Sequence, residues 1–107
     1  MSDSRLNSTG IPIPAKNDVD YHWIEGMQVM IYWYNNRLFA NSAICPHMGA
    51  ELELHDGCVR CPWHGIFADP ENLKIHGGGG ILKLKVTNII GFRLEVINQE
   101  IFLYKDS

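Results

Sequence analysis

Two short segments, Cys45-Pro46-His47 and Cys61-Pro62-Trp63-His64, each present one thiol and one imidazole, and together they spell C-x-H-x13-C-x-x-H. Four soft or borderline ligands on two neighbouring turns are hard to explain unless they close on a metal centre. The fold must therefore bring both turns to one end of the molecule. Whatever lies between residues 47 and 61 has to be a short, sharply reversing connection.

A chain of 107 residues, 46% hydrophobic and 20% charged, suits one soluble globular domain with an adequate core. Nine Lys and Arg against twelve Asp and Glu leave a net charge of -3, the wrong sign for tracking a phosphate backbone, so no nucleic-acid partner is expected. No apolar run reaches membrane-spanning length, and the polar start MSDSRLNSTG lacks the apolar stretch of a signal peptide. A cytoplasmic protein with no membrane partner is the expectation. Three cysteines, an odd number, fit reduced thiols better than a secreted disulfide framework.

Residues 1–10 are small, polar and aperiodic and read as a flexible tail; residues 11–107 read as the domain. Pro12 and Pro14 favour an extended entry, and 17–20 has a turn composition leading to Tyr21-His22-Trp23-Ile24. The run MQVMIYWY over 27–34, then Asn35-Asn36, then Arg37-Leu38-Phe39-Ala40, predicts a β-hairpin. Alternation over 50–54, a turn at His55-Asp56-Gly57 and a short strand Cys58-Val59-Arg60 predict a second one, which brings the two ligand segments together. The segment 65–80, with Asp69-Pro70 and four consecutive glycines, Gly77 to Gly80, has no period and reads as loop. Strict alternation in ILKLKV (81–86) and in 92–96, then Asn98-Gln99 and 100–104, predicts three more strands. No segment carries a capped 3.6-residue period, so the expected fold is all-β.

Zinc accepts two Cys and two His, but its structural sites usually pair C-x-x-C with H-x3-5-H. Here each loop supplies one ligand of each kind. That is what a binuclear cluster needs when one iron takes both thiolates and the other both imidazoles. The sequence resembles the Rieske iron–sulfur family: CPHMGAEL matches its first box and CPWHGIF its second. The resemblance implies a [2Fe-2S] cluster, one per chain, with Cys45 and Cys61 on the buried iron and His47 and His64 on the outer one. It implies an antiparallel β-sandwich or barrel base, 11–44 and 81–104, with a small cluster-binding subdomain of two ligand loops, about 45–80, inserted in it.

Several features depart from the family's pattern, some of them from its respiratory members in particular. The gap of 13 residues between His47 and Cys61 is shorter than usual, a trimmed hairpin around His55-Asp56-Gly57. Ala50 and Trp63 stand where those members carry a disulfide, Ile66 where they carry a serine that bonds a cluster sulfur, and Ala68 where they carry a tyrosine. Lost donors leave the reduced cluster less stabilised, which implies a potential toward the lower end of the Rieske span. The third covering loop, at Gly77 to Gly80, lacks the prolines often found there.

By resemblance the chain is a soluble ferredoxin, itself not an enzyme. It would carry one electron from a flavoprotein reductase to a terminal oxygenase, ring-hydroxylating in type, through transient docking near His47 and His64. An electron-transfer subunit of another oxidoreductase, such as a nitrite reductase, and a zinc-stabilised interaction module are the alternatives. A non-haem oxygenase iron would need a further two-His, one-carboxylate set. Cys58 forms a C-x-x-C with Cys61 but is expected to be a half-buried strand thiol; His22, His55 and His76 are expected to be ordinary strand or surface residues. Pro46, Met48, Pro62, Trp63 and Phe67 form an apolar rim around the histidines, or else Trp63 and Phe67 pack inward to shield the cluster. A monomer is expected.

Overall fold

The computed structural model describes residues 6, 10–45, 50–62, 65–77 and 88–105. Its ten strands are β1 (Ile11–Pro12), β2 (Val19–Ile24), β3 (Met27–Tyr34), β4 (Arg37–Ser42), β5 (Glu53–His55), β6 (Cys58–Arg60), β7 (Ile66–Ala68), β8 (Ile75–Gly77), β9 (Gly91–Ile97) and β10 (Glu100–Lys105). They form a six-stranded sheet in the order β1-β10-β9-β4-β3-β2 and a four-stranded sheet in the order β5-β6-β7-β8. Every pairing is antiparallel. The described residues contain no helix, as the patterning predicts.

The molecule closes about β3. Its apolar run does not alternate because both faces are covered, which is how a fully buried strand reads. Val29 and Ile31 enter one core with Ile24, Ala40, Phe92, Ile101 and Leu103, so five strands of the large sheet curl around it. Met30 and Tyr32 enter a second core with Ala43, Leu52, Val59, Ile66 and both Cys45 and Cys61. The four-stranded sheet supplies the far wall of that second core. Its inner positions Leu54, Val59, Ala68 and Ile75 face inward, while Arg60, Phe67 and His76 lie on the outer face.

Tight turns set the register. Glu25-Gly26, Asn35-Asn36, Asp56-Gly57 and Asn98-Gln99 each have positive φ at both central residues, between 51° and 77°. Such turns match the right-handed twist of the strands they join. The hairpins predicted at Asn35-Asn36 and around Asp56-Gly57 form, closing with Tyr34 on Arg37 and His55 on Cys58, and the strands predicted on either side of Asn98-Gln99 make a third, closing with Ile97 on Glu100.

Three expectations need correction. The segment 65–80 is not all loop: β7 and β8 lie within it, joined by a turn in which the Leu73 N–H donates to the Asp69 carbonyl at 2.7 Å. Strands of three residues are too short to print a period. The 17–20 turn is shorter than expected, because the Asp18 N–H closes on the Ala15 carbonyl at 3.0 Å and Val19 and Asp20 already belong to β2. Within 1–10, Leu6 is 2% exposed and its N–H donates to the Leu103 carbonyl at 2.8 Å, so at that residue the chain is packed and paired. The strand expected over 81–86 lies outside the described residues.

Candidate metal centre

After β4 the chain leaves the large sheet and makes a narrow ladder of its own. The Ala43 N–H donates to the Gln28 carbonyl (2.9 Å), the Leu52 N–H to the Ala43 carbonyl (2.6 Å), and Ile44 bridges Glu51. The ladder ends where the Cys45 N–H donates to the Ala50 carbonyl at 2.7 Å. After β6 the same device recurs: the Cys61 N–H donates to the Ile66 carbonyl at 3.0 Å, and the Gly65 N–H returns to the Cys61 carbonyl at 3.2 Å. Each cysteine thus sits at the mouth of a loop that its own amide closes onto the residue five positions later. Gly65 completes the second loop at φ +67°, a conformation that a side chain disfavours.

Cys45 and Cys61 are 1% and 0% exposed and belong to the same buried cluster, walled by Ala43, Ala50, Leu52, Val59 and Ile66. All three cysteines are thiols and none is in a disulfide. Cys58 is half-buried on β6, its side chain on the opposite face from Val59, the strand thiol expected from sequence. His47 and His64 lie outside the described residues, as do Pro46, Met48, Trp63 and Gly78 to Gly80. Only the cysteine of each ligand pair is therefore described, and among the described residues no three His, Cys, Asp or Glu side chains converge on one point. Two recessed thiols in an apolar wall, at the mouths of paired loops whose next residues include one histidine each, are a donor set that fits a cluster of iron and sulfur.

Of the other histidines, His22 on β2 has a buried Nε2 with no hydrogen-bond partner among the described residues, and the remaining two take ordinary places. His55 is exposed beside Asp56, with 3.3 Å between Nε2 and Oδ2, and His76 stacks on the ring of Phe67, centroids 5.7 Å apart. Of the proposed apolar rim, Phe67 and Pro62 are exposed and do not pack inward. Arg60 grips one oxygen of Glu53 through Nε and Nη2, at 3.1 and 2.6 Å, across the β5–β6 pair.

Polar contacts under the site escape a reading of motifs. Tyr32 and Asn41 are both fully buried, and the Tyr32 hydroxyl donates to Asn41 Oδ1 at 2.5 Å while Asn41 Nδ2 donates to the Ser42 carbonyl at 2.9 Å. Burial first, and the Asp69 charge second, push the Tyr32 phenol far above its ordinary range. An asparagine in the strand run LFANS was the available signal, since a polar residue in such a run needs a partner. Tyr21 and Gln28 tie the large sheet to the first ligand ladder: the Tyr21 hydroxyl donates to the Leu52 carbonyl at 2.8 Å, and Gln28 Nε2 to Glu51 Oε2 at 2.7 Å. Burial, then Glu51 and Glu53, raise the Tyr21 pKa.

The family model of the Rieske [2Fe-2S] domain matches residues 12–74, and the chain belongs to that family. Its cofactor is accordingly a [2Fe-2S] cluster, which sets the zinc-stabilised module aside. The fold is shared with the ferredoxin of carbazole 1,9a-dioxygenase from Nocardioides aromaticivorans, at 17% identity and a TM-score of 0.68, over 92% of this chain and 100% of that one. It is shared also with the terminal oxygenase of the same dioxygenase, at 16% identity and a TM-score of 0.70, over 96% of this chain and 32% of that one. A structure of the reduced complex between oxygenase and ferredoxin in carbazole 1,9a-dioxygenase matches at 12% identity and a TM-score of 0.76, over 98% of this chain and 30% of that one. The chain thus spans about a third of these oxygenase chains and the whole of the ferredoxin. No curated protein matches the sequence. No helix among the described residues is long and apolar enough to cross a membrane.

Proposed function

We propose that this chain is a one-electron carrier of the Rieske ferredoxin type, taking electrons from a flavoprotein reductase and passing them to a terminal oxygenase of the ring-hydroxylating kind. Likeness to a dioxygenase ferredoxin over its full length supports that reading over a catalytic one. The observation that carries it is the pair of buried cysteines, each locked at the mouth of its own loop by its amide. In this reading Cys45 and Cys61 hold one iron, His47 and His64 hold the other, and 45–80 is the cluster-binding subdomain. When bound, the cluster supplies a reversible one-electron couple.

The protein's own part is to fix that couple and to offer a surface to its partners. Ile66 and Ala68 are fully buried in the core that holds both cysteines, so their side chains present hydrocarbon where a hydroxyl would stabilise added negative charge. A potential in the lower part of the Rieske span follows. Exposed Pro62 and Phe67 flank the second loop and suit a small, transient docking surface near the histidines. The protein is expected to work in the cytoplasm.

Two measurements test this. Voltammetry should give a one-electron couple in the lower half of the span from about -150 to +300 mV, and Ile66→Ser should raise it; a high potential, or one that Ile66→Ser leaves unmoved, contradicts the role given to Ile66. In anaerobic stopped flow, the reduced protein should be reoxidised by a carbazole dioxygenase type terminal oxygenase. Failure to pass the electron, combined with substrate oxidation by this protein alone, would contradict the carrier reading.

A further inference from the structure

Among the described residues the ten strands leave four sheet edges, and three are blunted. β1 has two residues, one of them Pro12, and β5 and β8 have three each. The fourth, β2, is a regular six-residue strand, VDYHWI, without proline or lysine, and among the described residues nothing pairs with its outer side. A continuous edge of this kind is a template for another strand unless something blocks it. It also carries Trp23, which is 72% exposed.

The hairpin closing at Ile24 and Met27 fixes which groups face outward. In a two-residue hairpin the closing pair is hydrogen-bonded, so Ile24, His22 and Asp20 turn their backbone groups toward β3. Val19, Tyr21 and Trp23 turn theirs to the free edge. We infer that β2 pairs antiparallel with β2 of a second copy of this chain about a two-fold axis at Tyr21, forming a dimer through a continuous sheet.

Three features select this occupant and register. A two-fold antiparallel pairing joins residues of like parity, and centring it on Tyr21 aligns Val19 with Trp23 of the other copy, so all three outward residues exchange backbone bonds. Each exposed Trp23 then lies against an aliphatic side chain. On the opposite face the register sets Asp20 against His22 of the other copy, twice, across non-hydrogen-bonded pairs where side chains come closest. The inference replaces the expectation of a monomer and does not depend on the carrier reading.

Sedimentation velocity of the full chain over a wide concentration range tests it. The wild type should pass from one to two chain masses as concentration rises. Trp23→Lys, at an exposed site, should weaken association about tenfold or more, which is about 1.4 kcal/mol per decade. Far-UV circular dichroism should show its strands intact. The double variant Val19→Glu with Trp23→Lys should recover the dimer, because each Lys then faces a Glu. A wild type that stays monomeric throughout, a dimer undiminished by Trp23→Lys, or no recovery in a folded double variant would each overturn the proposal.

Discussion

Tyr32→Phe is the most informative single change beneath the metal centre. The hydroxyl it removes donates to Asn41 Oδ1 in a pair with no solvent exposure, within the core that also holds Cys45 and Cys61. Loss of the donor leaves Asn41 Oδ1 buried and unanswered, a cost of about 1–3 kcal/mol. For a domain near this size that lowers the unfolding midpoint by about 4–8 °C per kcal/mol. Replacing Asn41 by Leu in the same background removes the orphaned acceptor and should return part of the loss. Alkaline titration gives an independent readout. Tyr32 ionises far above its ordinary value of 10.0 when folded, so the unfolded chain loses this proton first. The stabilising contribution is complete below pH 10 and disappears as pH climbs toward the folded pKa, and Tyr21, also raised, adds to the same fall. Urea titrations of wild type and variants at neutral and alkaline pH would measure both effects. Equal stability of Tyr32→Phe and wild type, or stability that stays flat well above pH 10, would refute the buried-pair argument.

Further substitutions probe the loops and their supports. Cys45→Ser or Cys61→Ser should abolish the visible absorption of the cluster, whereas Cys58→Ser, on the outer side of β6, should retain it; bleaching by Cys58→Ser would mean a ligand has been misassigned. Gly65→Ala meets no atom within 4 Å but forces a side chain into φ +67°, a strain of about 1–2 kcal/mol that should appear as faster cluster loss on heating. Gly91→Ala places a methyl 2.7 Å from Leu73 Cδ1 and should cost about 1–3 kcal/mol in thermal unfolding, with Leu73→Ala in the same chain removing the overlap.

The family was readable because its chemistry is local: a cysteine and a histidine in each of two short boxes need no knowledge of the rest of the chain. The long hairpins were readable for a similar reason, since Asn35-Asn36 and Asp56-Gly57 are turn residues whose flanking strands have to pair. What stayed hidden depends on distant partners. β7 and β8 are three residues long and exist because β6 offers an edge to β7, and β7 in turn to β8. Leu6 is one leucine in a polar stretch, and only the Leu103 carbonyl and the core behind it make it structural. The Tyr32–Asn41 pair joins neighbouring strands, and no motif names it.

Electron–nuclear double resonance of the reduced protein tests the central assignment most directly, because it reports the nitrogens bound to the iron that carries the unpaired electron. Coordination by Cys45, His47, Cys61 and His64 predicts an anisotropic [2Fe-2S] signal with couplings from two imidazole nitrogens, simplified to one when either histidine is replaced by cysteine. A reduced cluster without nitrogen coupling, or a colourless protein holding zinc, would contradict it.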